Sequence, residues 1–270
     1  MFIQTLVGYA SAILPWLVFG SFIAYAVERR FSEGRIRKYL GAMTFKKLLF
    51  VQVLGMVSPL SIMSQLPVAG SLVRLGAHPG LLISFFIAER AYDLQSFPII
   101  TGLFGIQFAA LNILAIFLSL SITALVARHV PVTVNSRASS DGGNFWIRQG
   151  RIAGIVLFGI ILGAALRTFT PEDVFRGIAG TSLGGMATAL IVGFVLYFGT
   201  ILGNYPVAKA FADLGMHPAG VFAFMTVSPV FNFVVMFLFA SAVPFRYVIR
   251  QFSFYALAAL ALTVLFFSLV

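Results

Sequence analysis

Apolar runs of roughly 20 residues, each long enough to cross about 30 Å of hydrocarbon, recur along the whole chain and leave few water-soluble folds open to it. They fall at about 5–27, 48–66, 79–103, 105–127, 150–167, 179–202, 218–243 and 251–270, eight blocks in 270 residues. Only 10% of the residues are charged and the mean hydropathy is +1.01, whereas a soluble domain averages about 25% charged. The expected class is all-α: a polytopic membrane helix bundle of about eight spans, arranged as two four-span halves with proline-broken helices. An ordinary soluble enzyme is excluded.

Lysine and arginine number 18 against 8 acids. Seven of these cations (Arg29, Arg30, Arg35, Arg37, Lys38, Lys46 and Lys47) crowd the segment behind the first apolar block, the pattern that holds a loop in the cytoplasm. This use of the charge is favoured over a nucleic-acid partner. The first block has its positive charge behind it rather than in front, so it reads as a retained helix and not a cleavable signal. Eight crossings with the N-terminus outside put Arg167, Arg176, Arg246 and Arg250 inside with the seven, which gives a multi-pass protein of the inner (plasma) membrane. The chain has no cysteine, which removes disulfides, thiolate metal sites and cysteine catalysis. Its three histidines, at 78, 129 and 217, form no close-spaced metal motif, and no G-x-x-x-x-G-K-[ST] phosphate loop occurs. The expectation is a non-enzyme without cofactor or metal, set in a lipid bilayer, with room for protein partners in a membrane complex.

The one long polar stretch, Arg128 to Gly150, divides the chain into a first membrane repeat (1–127), a linker (128–149) and a second membrane repeat (150–270). Trp146 stands where an interfacial aromatic anchor belongs. Residues 67–93 laid over 206–232 share Pro67/Pro206, Val68/Val207, Ala69/Ala208, Leu75/Leu214, Gly76/Gly215, His78/His217, Pro79/Pro218 and Phe85/Phe224. A duplication is the preferred account. Halves with an even number of spans would run in the same direction and halves with an odd number would be inverted; both build transporters around a central site.

Pro59, Pro67 and Pro79 in one copy, and Pro206, Pro218 and Pro229 in the other, cannot donate backbone hydrogen bonds and disfavour helix in the residue before them. Freed backbone groups are tolerated in a membrane only when buried in protein or lining a wet cavity. Residues 58–67 and 199–206 are therefore expected at the bundle centre, with Ser61, Met63, Ser64 and Gln65 in the first break and Thr200 and Asn204 in the second. Glu89, Arg90 and Asp93 interrupt an apolar block, at a cost of about 2.5–3.5 kcal/mol each at mid-span if exposed to lipid. Their spacing permits a shielded cluster on one helix face, either a proton or cation carrier at Glu89 or Asp93 or a neutral packing device. The matched positions in the second copy are Ser228, Pro229 and Asn232. His78 and His217 read as helix-start residues or pH-responsive gates. Gly159 with Gly163, Gly180 with Gly184 and Gly199 with Gly203 read as close-packing pairs.

The run Pro59-Leu-Ser-Ile-Met-Ser-Gln-Leu-Pro67, followed by Leu75-Gly-Ala-His-Pro79, resembles the signature of bacterial predicted permeases related to the trivalent organoarsenical efflux permeases. The resemblance implies an eight-span permease with two related halves. Ser61 and Met63 stand where that family carries two cysteines, so the soft thiolates suited to a metalloid cargo are missing. Together these readings point to a secondary permease that moves a small solute between the halves with proton coupling. The alternative is a non-transporting membrane subunit or assembly factor on the same scaffold.

Overall fold

The structure, a computed structural model, describes residues 1–28, 43–57, 78–127, 145–196, 200–240 and 243–268. Among them there is no strand. The helices are α1 (Phe2–Glu28), α2 (Phe45–Met56), α3 (Pro79–Ala91), α4 (Ser96–Phe104), α5 (Ile106–Ala127), α6 (Phe145–Phe169), α7 (Glu172–Ala179), α8 (Ser182–Val195), α9 (Asn204–Asp213), α10 (Pro218–Val227), α11 (Phe233–Ala240) and α12 (Phe245–Ser268). A single 3₁₀ turn, Ile201–Gly203, leads into α9. Three of these helices, α1, α5 and α12, are long and apolar enough to cross a membrane. A fourth crossing exists if α6 and α7, bent by 102°, count as one. Two further apolar blocks are interrupted: 79–103 divides into α3 and α4, and 218–243 into α10 and α11.

Helix ends recur at a single spacing. Helices α2 and α8 close at Met56 and Val195, α3 and α10 open at Pro79 and Pro218, and α5 and α12 open at Ile106 and Phe245, each pair 139 residues apart. The local chemistry repeats too. Proline needs no N–H partner in a first turn, and the histidine in front of it caps the helix: His78 Nδ1 accepts from Gly80 N at 3.1 Å and His217 Nδ1 from Ala219 N at 3.2 Å. Both histidines are thus helix-start residues.

Helices at matched positions pack side by side and run antiparallel. Phe2 of α1 meets Phe169 at the end of α6, while Phe22 and Tyr25 meet Trp146 at its start. Trp146 is half exposed there. In the same way the end of α5 (Leu120, Thr123, Ala124) lies by the start of α12 (Tyr247, Gln251). At the other end, Phe108 of α5 and Phe266 and Phe267 of α12 share Phe222 as a neighbour.

Between α8 and α10 the chain doubles back. The two helices are parallel, with Gly185 against Gly220 and Gly193 against Ser228, so 196–217 must return. His217 N reaches Ala179 O at 2.9 Å, level with the start of α8. The 14 residues of α8 rise about 21 Å, short of the roughly 30 Å needed to cross. The returning limb of this hairpin, the 3₁₀ turn and the start of α9, lies in a groove of α6: a Cβ on Gly159 would stand 2.6 Å from Gly203 O, and one on Gly163 2.6 Å from Pro206 O. Gly159 and Gly163 are therefore a true close-approach pair. Gly180 and Gly184 instead face the backbone of Arg176 and Ile178 in the α7–α8 bend. Gly163→Val is expected to cost about 1–3 kcal/mol by overpacking, read as earlier thermal unfolding in detergent, while Gly154→Val, with open space around it, leaves the transition unmoved.

The helix ends sort into two faces. One carries the ends of α1 and α5 and the starts of α2, α3, α6 and α12. The other carries the starts of α1, α5 and α10 and the ends of α6 and α9. Arg167 and Arg176 lie at this second face, opposite the end of α1 and the start of α2 with Lys46 and Lys47. Here cations are matched by acids: Arg167 and Arg176 hold Glu172 at 3.2 and 2.5 Å, and Lys209 holds Asp213 at 2.7 Å. Tyr9 donates to the other Asp213 oxygen at 2.8 Å.

Candidate functional site at the crossing of two broken helices

The expected break at 58–67, with Ser61, Met63, Ser64 and Gln65, lies outside the described residues. The expected break at 199–206 is shorter than the prolines suggested. Helix resumes with the turn at Ile201, and Pro206 sits in the first turn of α9, where its missing N–H leaves nothing unpaired. Thr200 caps this turn, its hydroxyl accepting from Leu202 N at 3.5 Å.

Two further breaks, α3–α4 and α10–α11, are built alike. Asp93 Oδ1 accepts the N–H of Gln95 at 3.2 Å, and Asn232 Oδ1 accepts that of Val234 at 3.0 Å. Asn232 thereby caps the first turn of α11, whereas Asp93 braces the turn that leads into α4. That turn is closed twice more: Ser96 N donates to Asp93 O at 2.9 Å and Asp93 N donates to Ser96 Oγ at 3.0 Å. Asn232 also ties its break to α8, donating from Nδ2 to Gly193 O at 2.9 Å and Leu196 O at 2.7 Å.

The breaks meet through Arg90. Its side chain is 7% exposed, and Nε donates to the carbonyl of Pro229 at 3.0 Å. Arg90 and Pro229 are themselves 139 residues apart, the same spacing that relates the helix ends. Around them, Asn204 donates to Ser228 Oγ at 3.4 Å, and Ser228 donates to Phe224 O at 2.5 Å. The buried Tyr205 hydroxyl donates to Ser96 Oγ at 2.5 Å, joining α9 to the first break, with Tyr92, Asp93 and Arg90 within electrostatic reach.

Of the residues singled out from sequence, Arg90, Asp93, Asn204, Ser228 and Asn232 gather here, and Glu89 stands partly buried in the last turn of α3. Thr200 caps its turn on the approach to α9. Ser96, Tyr92 and Gln95 also belong to the site, and only the short polar side chains of Asp93 and Ser96 hint in sequence at a turn there. The site offers one cation, ionisable carboxyls, hydroxyls, amides and the Pro229 carbonyl that the cation holds. Among the described residues no group of His, Asp or Glu is placed to hold a metal.

The fold defines an all-helical protein with three to four helices of membrane-crossing length and composition. In comparisons with known proteins, no family model, no curated protein and no solved structure matches the chain. What it does is therefore argued from its own geometry.

Proposed function

We propose that the chain is an ATP-independent secondary permease of the inner membrane, built from two inverted halves, that moves a small solute past the crossing of α3–α4 and α10–α11 with proton coupling at Asp93 or Glu89. The observation that carries this is the Arg90 to Pro229 bond. A contact between matched positions marks the pseudo-two-fold axis, and on that axis unwound backbone coincides with ionisable side chains. Repeat-built transporters hold their substrate and coupling-ion sites at such a place, on discontinuous helices.

The antiparallel course of matched helices supports inversion, and inversion requires an odd number of crossings per half. The count in this reading is three: α6, α10–α11 and α12 in the second half, with α8 and α9 as a hairpin that enters and leaves by one face. The first half follows with α1, α3–α4 and α5. This replaces the four crossings per half suggested by hydropathy, since the hairpin supplies apolar length without a crossing. Six crossings also sort the charge. In this reading the sequence after α1, with its seven cations, and the linker with its arginines belong to one side, the side of Arg246 and Arg250 in the first turns of α12. Opposite them stand Arg167, Arg176 and Lys209, each beside an acid. By the positive-inside rule the first face is cytoplasmic and the N-terminus is outside. Kinship with the organoarsenical-type permeases, suggested by the 59–79 run, belongs to this reading for the scaffold and not for the cargo.

The test is the full chain in proteoliposomes on a solid-supported membrane, challenged with a panel of small metabolites under an imposed pH gradient. A solute-evoked current is expected, lost in Asp93→Asn or in Glu89→Gln while either variant keeps its unfolding temperature. Silence across the panel, together with stoichiometric co-purification of another membrane chain, would replace the permease with the subunit reading.

A further inference from the structure

A second polar site lies apart from the crossing, on the basic face. Between α3, α5 and α12 is a small cavity with room for about one water molecule, bordered by Gly80, Ser84, Thr123, Tyr247 and Gln251 together with aliphatic residues. Gln251 is 2% exposed, and among the described residues its Nε2 has no partner. Ser84 donates its hydroxyl to Gly80 O at 2.8 Å and Thr123 donates to Ser119 O at 2.7 Å, so both oxygens retain lone pairs and no free proton. Next to them on α5, Ser121 donates to Gln52 Oε1 at 3.0 Å. Gln52 is fully buried and its Nε2 is likewise unpartnered among the described residues. A buried N–H without an acceptor costs about 1–3 kcal/mol, and a polar cavity of this size is where such a group finds one.

The matched positions in the other copy are filled. Ile83 and Tyr247 correspond to Phe222 and Phe108, whose rings meet edge-on at 5.2 Å, and Phe222 is further packed by Phe266 and Phe267. Ser84, Gln52 and Ser121 correspond to Ala223, Ile191 and Leu260. Gln251 itself corresponds to Asn112, 1% exposed and with its Nδ2 also unpartnered among the described residues, so both copies keep a buried amide there; the copies differ in the hydroxyl and glutamine positions around it and in the aromatic rings that fill the second copy.

We infer that the Ser84–Thr123–Gln251 cavity binds a hydroxyl oxygen, that of water or of a small neutral solute, and is the inner end of an aqueous access route from the basic face toward Asp93. The donor on Gln251 and the acceptors on Ser84 and Thr123 suit a group that both accepts and donates. No lining group carries charge, so an ion would be stripped of water with nothing to replace it. The cavity's chemistry stands by itself; its role as an access route rests on the permease reading.

The chain has no native cysteine, so single cysteines report directly. Ser84→Cys, Thr123→Cys and Gln251→Cys, with Ala223→Cys as the matched control, are exposed to a small membrane-impermeant methanethiosulfonate in vesicles of either orientation. Labelling of the first three from the basic face only is expected, about tenfold faster than the control. Thr123→Cys keeps size and helix, so a defect of Gln251→Cys in folding does not decide the outcome. Slowing by glycerol assigns the site to a solute hydroxyl; indifference to glycerol assigns it to water. Labelling with no solute current anywhere would sink the permease and leave the cavity. Protection of all three from both faces, or equal labelling of Ala223→Cys, overturns the inference even if transport is observed.

Discussion

Arg90→Met should lower the unfolding free energy by about 3 kcal/mol and abolish solute-evoked current, the largest combined effect expected of one side chain. The guanidinium donates to Pro229 O from a position that is 7% exposed. A charged hydrogen bond is worth about 1.5–3 kcal/mol, and the carbonyl left behind costs a further 1–3. That carbonyl belongs to a broken helix, so it has lost the helical partner that would otherwise pair it. Methionine keeps most of the volume, so lost packing contributes little. Arg90→Lys retains the charge on a longer, thinner stem without the planar fork. It should recover part of the stability and less of the current, because positioning of Pro229 depends on Nε and not on charge alone. Denaturant unfolding followed by tryptophan fluorescence reads the first effect, and proteoliposome currents read the second. Full current in Arg90→Met would remove the crossing from the transport path.

Much of the outline was readable in the residue pattern. The helix starts at Pro79 and Pro218, the apolar runs 105–127 and 251–270 that lie largely in α5 and α12, and the gathering of Arg90, Asp93, Asn204, Ser228 and Asn232 follow from proline position, apolar length and the cost of burying charge; the first turns of α12, with Arg246 and Arg250, do not. Nor does the crossing count. Hydropathy measures how long an apolar run is, and it is blind to a chain that reverses inside the run, as 196–217 does beside α8. In the six-crossing reading Arg167 and Arg176 fall on the face opposite the end of α1, where eight crossings would put them on the same face. The break at 92–95 was also hidden, because it holds neither proline nor glycine. It is made by Tyr92 in an extended conformation (φ −152°) and by the Asp93–Ser96 turn. Read as charges, Glu89, Arg90 and Asp93 looked like one cluster. In the fold Asp93 braces a turn while Arg90 bridges to Pro229, a contact 139 residues away that no local spacing reveals.

Asn232 and Asp93 occupy matched positions, yet exchanging their chemistry should have unequal consequences. Asn232 is 1% exposed and uses both ends of its amide: Nδ2 serves Gly193 O and Leu196 O, and Oδ1 serves Val234 N and, at 3.5 Å, Val235 N. A carboxylate at 232 would face two carbonyl oxygens with no proton to offer, and a protonated acid could satisfy only one of them. Asn232→Asp is therefore expected to cost about 3–5 kcal/mol and to loosen α8 from the α10–α11 break, seen as faster amide hydrogen exchange over 193–196 and 228–235. Asp93→Asn keeps the acceptor for Gln95 N and leaves the backbone bonds with Ser96 in place, so its cost should stay within about 1 kcal/mol. The pair separates structure from chemistry. If Asp93→Asn is stable but silent in transport, the ionisable group belongs to the mechanism. If it is stable and fully active, Asp93 is a turn brace and nothing more, and Glu89 is left to carry any proton that moves.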